Sequence, residues 1–148
     1  MGSLDDLKIL DFSTLLPGPY ATLMLADMGA EVLKISSASR PDIVLDYPPF
    51  IGDTGVSASQ AWLGRNKKTM FLNLKTGEGK AVVKELVKEY DIVLEQFRPG
   101  VMEKLGLGYE DLKAVNPKLI YCSLTGYGQT GPLRDAAVSY THLTLPTK

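Results

Sequence analysis

Residues 7–35 constrain the fold more than any other stretch of the chain. Leu7 to Phe12 (Leu-Lys-Ile-Leu-Asp-Phe) is a short apolar run of β character, followed by a turn at Pro17-Gly18. A helix is predicted from Pro19 to Met28. Proline suits the first helical position, where the amide it lacks would be unpaired, and Gly29 suits the position just past the end. Tyr20, Leu23, Met24 and Met28 recur at helical spacing as the apolar stripe, with Asp27 toward water. Glu31 to Ile35 reads as a second strand. Strand, tight turn, helix and strand make a βαβ unit, and such units build parallel sheets with right-handed crossovers.

From Ser36 to Gly64 no period holds, and Ser, Asp, Gly and Pro accumulate. This segment reads as a long surface loop with one short helix around Ser59 to Leu63, and a loop that long is usually functional or mobile. Lys68 to Leu74 is a third strand. Thr76 can cap a helix over Gly77 to Glu89, whose stripe is Val82, Val83, Leu86, Val87 and then Tyr90. Asp91 to Phe97 is a fourth strand, turning at Arg98-Pro99-Gly100. A helical turn over Val101 to Leu105, a short helix over Tyr109 to Val115 and a fifth strand over Leu119 to Leu124 complete the pattern. Strands alternating with helices specify an α/β fold, a Rossmann-like parallel sheet with flanking helices.

The 148 residues fit one domain, and 45% hydrophobic against 22% charged residues is ordinary for a globular chain with a real core. A net charge of −1 does not advertise nucleic acid as a partner. Cys122 is the single cysteine, which excludes a disulfide framework and a multi-cysteine zinc site within one chain; no metal site is expected. That fits a reducing cytoplasm. The first residues lack the basic-then-apolar pattern of a signal peptide, and no apolar run approaches the roughly 18 residues of a membrane span. A soluble, cytoplasmic protein is expected.

Three places could carry chemistry. The turn Leu15-Leu16-Pro17-Gly18-Pro19 opens a helix after a strand but lacks G-x-G-x-x-G. It is either a compact connection or a place where helix amides face a ligand. Arg65-Asn66-Lys67-Lys68, with Lys75 beyond the third strand, is either a solvated basic edge or a set of phosphate contacts. Gln96-Phe97-Arg98-Pro99-Gly100 lies at the carboxyl end of the fourth strand, where open α/β sheets bind ligands. Phe97 could stack on an adenine with Arg98 near a phosphate; equally, the segment could be a capped turn with Phe97 in the core.

Four segments, in order and at matching spacing, resemble the family III CoA-transferases of the formyl-CoA and crotonobetainyl-CoA type, a superfamily shared with the α-methylacyl-CoA racemases. They are Leu10-Asp11-Phe12 through Gly18-Pro19 with Leu25-Ala26-Asp27-Met28-Gly29-Ala30; Arg65-Asn66-Lys67-Lys68 through Leu72-Asn73-Leu74-Lys75; Glu95-Gln96-Phe97-Arg98-Pro99-Gly100-Val101-Met102; and Asn116-Pro117-Lys118-Leu119-Ile120-Tyr121 through Gly126-Tyr127-Gly128-Gln129-Thr130-Gly131-Pro132. The resemblance covers about Leu4 to Ala136 and marks the chain as an N-terminal part of that fold.

By that resemblance, coenzyme A is a substrate and no separate cofactor is needed. Its contacts carry over to Leu16 at the first turn, Leu72 and Lys75 at the third strand, Gln96, Phe97 and Arg98 at the fourth, and Lys104 where the family usually has arginine. Lysine there keeps the charge and loses the bidentate fork. Ser37 falls where many members have a basic residue. The implied substrates are an acyl-CoA and a carboxylic acid, and the implied full-length form is an interlocked homodimer. An aspartate nucleophile would form an acyl anhydride and then an enzyme–CoA thioester. That aspartate is expected in a Gly-Asp segment downstream of Gly131-Pro132 and outside this chain; Asp135 belongs to a variable loop and is not a candidate. The racemase activity and a non-catalytic CoA-binding module are the alternatives.

Many members continue with Ala-Gly-His-Asp. Here Ala137 is followed by Val138, Ser139 and Tyr140, and His142 comes three positions late. Residues 1–137 are read as the N-terminal part of the large domain. Residues 138–148 resemble a translated transposon-type sequencing adapter and are expected to be non-native. So truncated, the chain is expected to lack activity and to fold poorly alone, with apolar sheet surface uncovered.

Overall fold

The computed structural model describes residues 2–40 and 42–136. Five parallel strands, β1 (Lys8–Asp11), β2 (Glu31–Ser36), β3 (Lys67–Phe71), β4 (Ile92–Glu95) and β5 (Ile120–Ser123), form one sheet in the order β3-β2-β1-β4-β5. Helix α1 (Pro17–Asp27) connects β1 to β2, α2 (Ala58–Leu63) precedes β3, α3 (Gly77–Val87) connects β3 to β4, and α4 (Val101–Leu105) and α5 (Tyr109–Lys113) connect β4 to β5. The Rossmann-like parallel sheet read from the alternation is therefore the observed fold.

Helices lie on both faces, so the central strands are buried on both sides and are apolar almost throughout. One face carries Ile9, Val32, Ala26 and Ala30, packed under α1. The other carries Leu10, Leu33, Val93, Val83, Val87, Met102 and Leu112, packed under α3, α4 and α5. Register follows from this alternation: Ile9 pairs with Val32 and Ile92, and Leu10 with Leu33 and Val93. Val83 and Val87 of α3 and Tyr90 just beyond it are buried, while Val82 stands outward, 38% exposed.

Helix α1 differs from its sequence reading. It begins at Pro17 rather than Pro19, with proline at its first position. Its buried face is Gly18, Pro19, Thr22, Leu23 and Ala26. Tyr20, Met24 and Met28 point outward, and of the expected stripe only Leu23 is inside. The helix lies close against β1, and small residues permit that approach. At the far end Gly29 takes φ +109°, a left-handed conformation that a glycine adopts without strain and that stops the helix.

The long segment between β2 and β3 is more ordered than a surface loop. Phe50 bridges Ser57, and the Ser57 hydroxyl caps α2 through the Gln60 amide while donating to the Leu45 carbonyl at 2.5 Å. Asp42 is buried beneath it. β3 and β4 are each shorter than the apolar runs suggest, ending at Phe71 and Glu95. The Phe97 amide turns out of the ladder to the Glu95 carboxylate, 2.7 Å away, and the Lys75 amide bonds the Asn73 side chain at 3.1 Å. Residues 138–148, including His142, lie outside the described residues.

Candidate functional site

Strand order reverses between β1 and β4, which leave the sheet side by side with connections running in opposite directions. The crevice at their carboxyl ends is the place where a sheet of this kind takes a ligand. The β1–α1 turn, residues 12–18, forms one wall. Gln96, directly after β4, crosses to it: its Oε1 accepts the Gly18 amide at 2.9 Å, and its Nε2 donates to the Thr14 carbonyl at 2.6 Å.

Beneath the turn sits a buried polar cluster. Asp11 ends β1 and is fully buried. Its Oδ1 accepts both the amide and the hydroxyl of Ser13, and its Oδ2 accepts the Thr22 hydroxyl at 2.5 Å. The Lys67 ammonium reaches in from β3, donating to the Pro19 carbonyl at 2.6 Å and the Thr22 hydroxyl at 2.8 Å, with Asp11 at 3.8 Å. Burial pulls the Lys67 ammonium from its usual 10.5 down to about 8, against the opposing pull of Asp11. A second buried pair, Lys34–Asp42 at 3.0 Å, lies alongside. Two buried cation–carboxylate pairs in one corner are costly unless further hydrogen bonds support them; Lys67 has the Pro19 carbonyl and Thr22 hydroxyl besides Asp11, and Asp42 accepts from Lys34 and from the Leu15 and Val44 amides.

The first turn of α1 offers few amides to an anion. Pro17 and Pro19 have no N–H, and Gln96 occupies that of Gly18. Of the helix amides that one of the two sequence readings placed before a ligand, that of Gly18 is therefore taken up by a side chain of this chain.

The basic run 65–68 is dispersed rather than forming one edge. Arg65 forks onto Asp27 at 2.5 and 3.1 Å, Lys68 lies 3.6 Å from Glu31, and Lys67 is internal. Sequence reasoning counted Lys67 among surface cations because its partner, Asp11, is 56 positions away. Asp11 itself was legible as an acid closing an apolar run on a central strand. Thr22, Lys34 and Asp42 gave no sequence signal.

The predicted contact residues fall along the same sheet edge. Leu16 is on the turn and 50% exposed. Leu72 leaves β3 with its amide on the Ser36 carbonyl, and Lys75 is exposed in the turn toward α3. Gln96 spans the crevice. Phe97 is partly buried and packs against the same core cluster as Leu72, which joins those two. Arg98 is exposed beside it, and Lys104 is exposed on α4, one element beyond the edge. Among the described residues the cations Lys75, Arg98 and Lys104 have no ion-pair partner, unlike Arg65, Lys67 and Lys68. On the far side of β4, Glu95 is buried; burial pushes its carboxyl up, opposed by hydrogen bonds from Ser123 and the Phe97 amide. No group of three or more metal-ligating side chains occurs among the described residues.

A 3-2-1-4-5 parallel sheet whose strand order reverses between β1 and β4 defines a Rossmann-like α/β fold. The family model for CoA-transferase family III matches residues 4–143, and the chain belongs to that family. It is 42% identical over 132 residues to acetyl-CoA:oxalate CoA-transferase of Acetobacter aceti, covering 89% of this chain and 33% of that protein. It is also 42% identical over 135 residues to succinyl-CoA:glutarate CoA-transferase of Homo sapiens, covering 90% and 30%. Among solved structures, a CAIB/BAIF family protein from Brucella suis superposes with a TM-score of 0.85 at 40% identity, covering 92% of this chain and 36% of that one. The chain thus spans about a third of the length of the curated relatives it matches.

Proposed function

We propose that this chain forms the coenzyme A-binding part of a CoA-transferase, which moves coenzyme A between an acyl-CoA and a carboxylic acid. The observation that carries this reading is the placing of unpaired cations, Lys75 and Arg98 just past the ends of β3 and β4 and Lys104 on α4 one element further on. Coenzyme A carries several phosphate charges and an adenine. Lysines and arginine at the crevice suit the phosphates, and the apolar surface of Leu16, Leu72 and Phe97 suits the ring or the pantetheine arm. Lysine at 104 offers a point charge where arginine would grip two phosphate oxygens. The names of the relatives, oxalate and glutarate CoA-transferases among them, support the same substrate classes.

In the transfer, an aspartate carboxylate attacks the thioester carbonyl, giving a mixed anhydride and releasing CoA thiolate. The thiolate then attacks the aspartyl carbonyl, displacing the donor carboxylate and leaving an enzyme–CoA thioester, from which the acceptor acid takes CoA. The residues described here bind and orient; the family resemblance assigns the nucleophile to a Gly-Asp segment downstream of Gly131-Pro132. The exposed apolar side chains Leu16, Tyr20, Met24 and Ile120 suit a full-length homodimer in which further chain covers them.

The test is made on the product of the complete gene. Incubation with an acyl-CoA and an isotopically labelled acid should yield labelled acyl-CoA, and hydroxylamine should trap an aspartyl hydroxamate. Exchange of the proton next to the thioester with no transfer of CoA would instead identify a racemase.

A further inference from the structure

We propose that Asp42 is a positioning residue, clamping the β1–α1 turn in the conformation that presents Leu16 to the ligand; the ligand in question rests on the coenzyme A reading above. The starting point is Leu15, which has φ +62°. A residue with a Cβ rarely holds this left-handed conformation unless its surroundings impose it. Its amide points away from the sheet ladder to both carboxylate oxygens of Asp42, at 3.1 Å each.

Asp42 is held in turn. Its Oδ2 accepts the Lys34 ammonium at 3.0 Å, and its Oδ1 accepts the Val44 amide at 3.3 Å. The Lys34 and Asp42 side chains are 5% and 3% exposed. Lys34 is fixed on β2, in register with Asp11 of β1. An ammonium in that place is tolerable only with a counter-ion, so it draws the carboxylate into the interior. The lone pairs that Lys34 leaves free then meet the Leu15 amide. The connection runs from a buried strand lysine, through a loop aspartate, to a turn 27 residues earlier in the chain.

The remaining anchors of the turn act elsewhere. Asp11 holds Ser13, Gln96 holds the Thr14 carbonyl and the Gly18 amide, and Lys67 holds the Pro19 carbonyl. At Leu15, the one strained position of the turn, the side chain that holds the backbone is Asp42. If Leu15 relaxes to negative φ, Leu16 rotates with it, and an apolar side chain now 50% exposed at the crevice is aimed differently. Asp42 also lines a cavity of 490 Å³ against Phe71 and Gln60, so the clamp borders open space that a ligand or further chain can occupy.

The variant Lys34→Met/Asp42→Leu tests this without leaving a lone buried charge. Two quantities are read in the product of the complete gene: hydrogen exchange of the Leu15 amide without ligand, and the Kd for coenzyme A by calorimetry. Exchange at Leu15 should speed up at least about tenfold, and coenzyme A should bind about tenfold more weakly. Adding Leu15→Gly should bring the affinity back to within about threefold of wild type, because glycine holds φ +62° without a clamp. A purely structural role for the ion pair would not be rescued by that glycine. Unchanged Leu15 exchange, unchanged affinity in the double variant, or no rescue by Leu15→Gly would each overturn the proposal. If the wild-type chain does not bind coenzyme A, the functional reading fails, and the exchange measurement alone decides the clamp.

Discussion

The side-chain amide of Gln96 closes the crevice between β4 and α1 by accepting the Gly18 amide at 2.9 Å, the place where a phosphate would sit in a glycine-rich dinucleotide turn. A protein side chain thus takes up that amide at the helix N-terminus. Gly18 is required for closeness rather than for its backbone angle. A Cβ there would overlap Ser13 and stand 2.6 Å from Gln96 Oε1.

Gly18→Ala is therefore expected to destabilise the chain by about 1–3 kcal/mol, through overpacking of the turn. Gln96→Leu should cost a similar amount, about 1–3 kcal/mol, by leaving the Gly18 amide and Thr14 carbonyl without partners. Urea unfolding of both variants checks this, and a loss under 0.5 kcal/mol (about the noise of a surface substitution) would count against the contact.

Lys67 gives a pH signature. Its folded-state value near 8 is below the usual 10.5, so between those values the unfolded chain binds more protons than the folded one. Stability contributed by this group therefore rises with pH from about 8 to 10.5, by at most about 1.4 kcal/mol per unit. Lys67→Met removes that slope and leaves Asp11 buried without its cation, costing about 3–5 kcal/mol. The stability gap between wild type and variant should widen from pH 8 to pH 10; a constant or shrinking gap would contradict the burial of the ammonium.

The outward face of α1 should make the chain self-associate. Tyr20, Met24 and Met28 are 44%, 53% and 47% exposed, and Trp62 of α2 extends the patch, its ring centroid 5.8 Å from that of Tyr20. Sedimentation should show species heavier than the 16.1 kDa monomer, with Met24→Lys shifting the distribution toward monomer. A wild-type chain that is monodisperse at high concentration would show that the patch is inert.

Much of the architecture was legible in the sequence because parallel sheets leave a coarse signal: short apolar runs, alternating with capped helices. Thr76 as the cap of α3 and Val101–Leu105 as a helix follow from local chemistry alone. The α1 stripe misled because Tyr20, Met24 and Met28 have the right spacing, whereas the close approach to β1 selects Gly18, Thr22 and Ala26. The position of Gln96 and Phe97 at the carboxyl end of the fourth strand was legible from the apolar run that precedes them. The site's internal bracing was not. Lys67 meets Asp11, and Asp42 meets Leu15, only after the chain has folded, and no periodicity links such distant positions.

Lys75→Ala and Phe97→Ala separate charge from stacking in the crevice. Lys75→Ala should weaken coenzyme A binding several-fold, and less so at high salt, because an exposed cation is screened there. Phe97→Ala should weaken binding independently of salt and also destabilise the core against which the half-buried ring packs, by about 1–3 kcal/mol. Calorimetry at two ionic strengths reads both.

The most direct measurement is a titration of the isotope-labelled product of the complete gene with coenzyme A, followed by amide chemical shifts. Binding at the switch point is expected to move resonances of residues 14–18, 72–76 and 96–98 together, with a common midpoint, and to leave those of α5 and β5 in place. Shifts confined to β5 and α5, or none at millimolar coenzyme A, would contradict it.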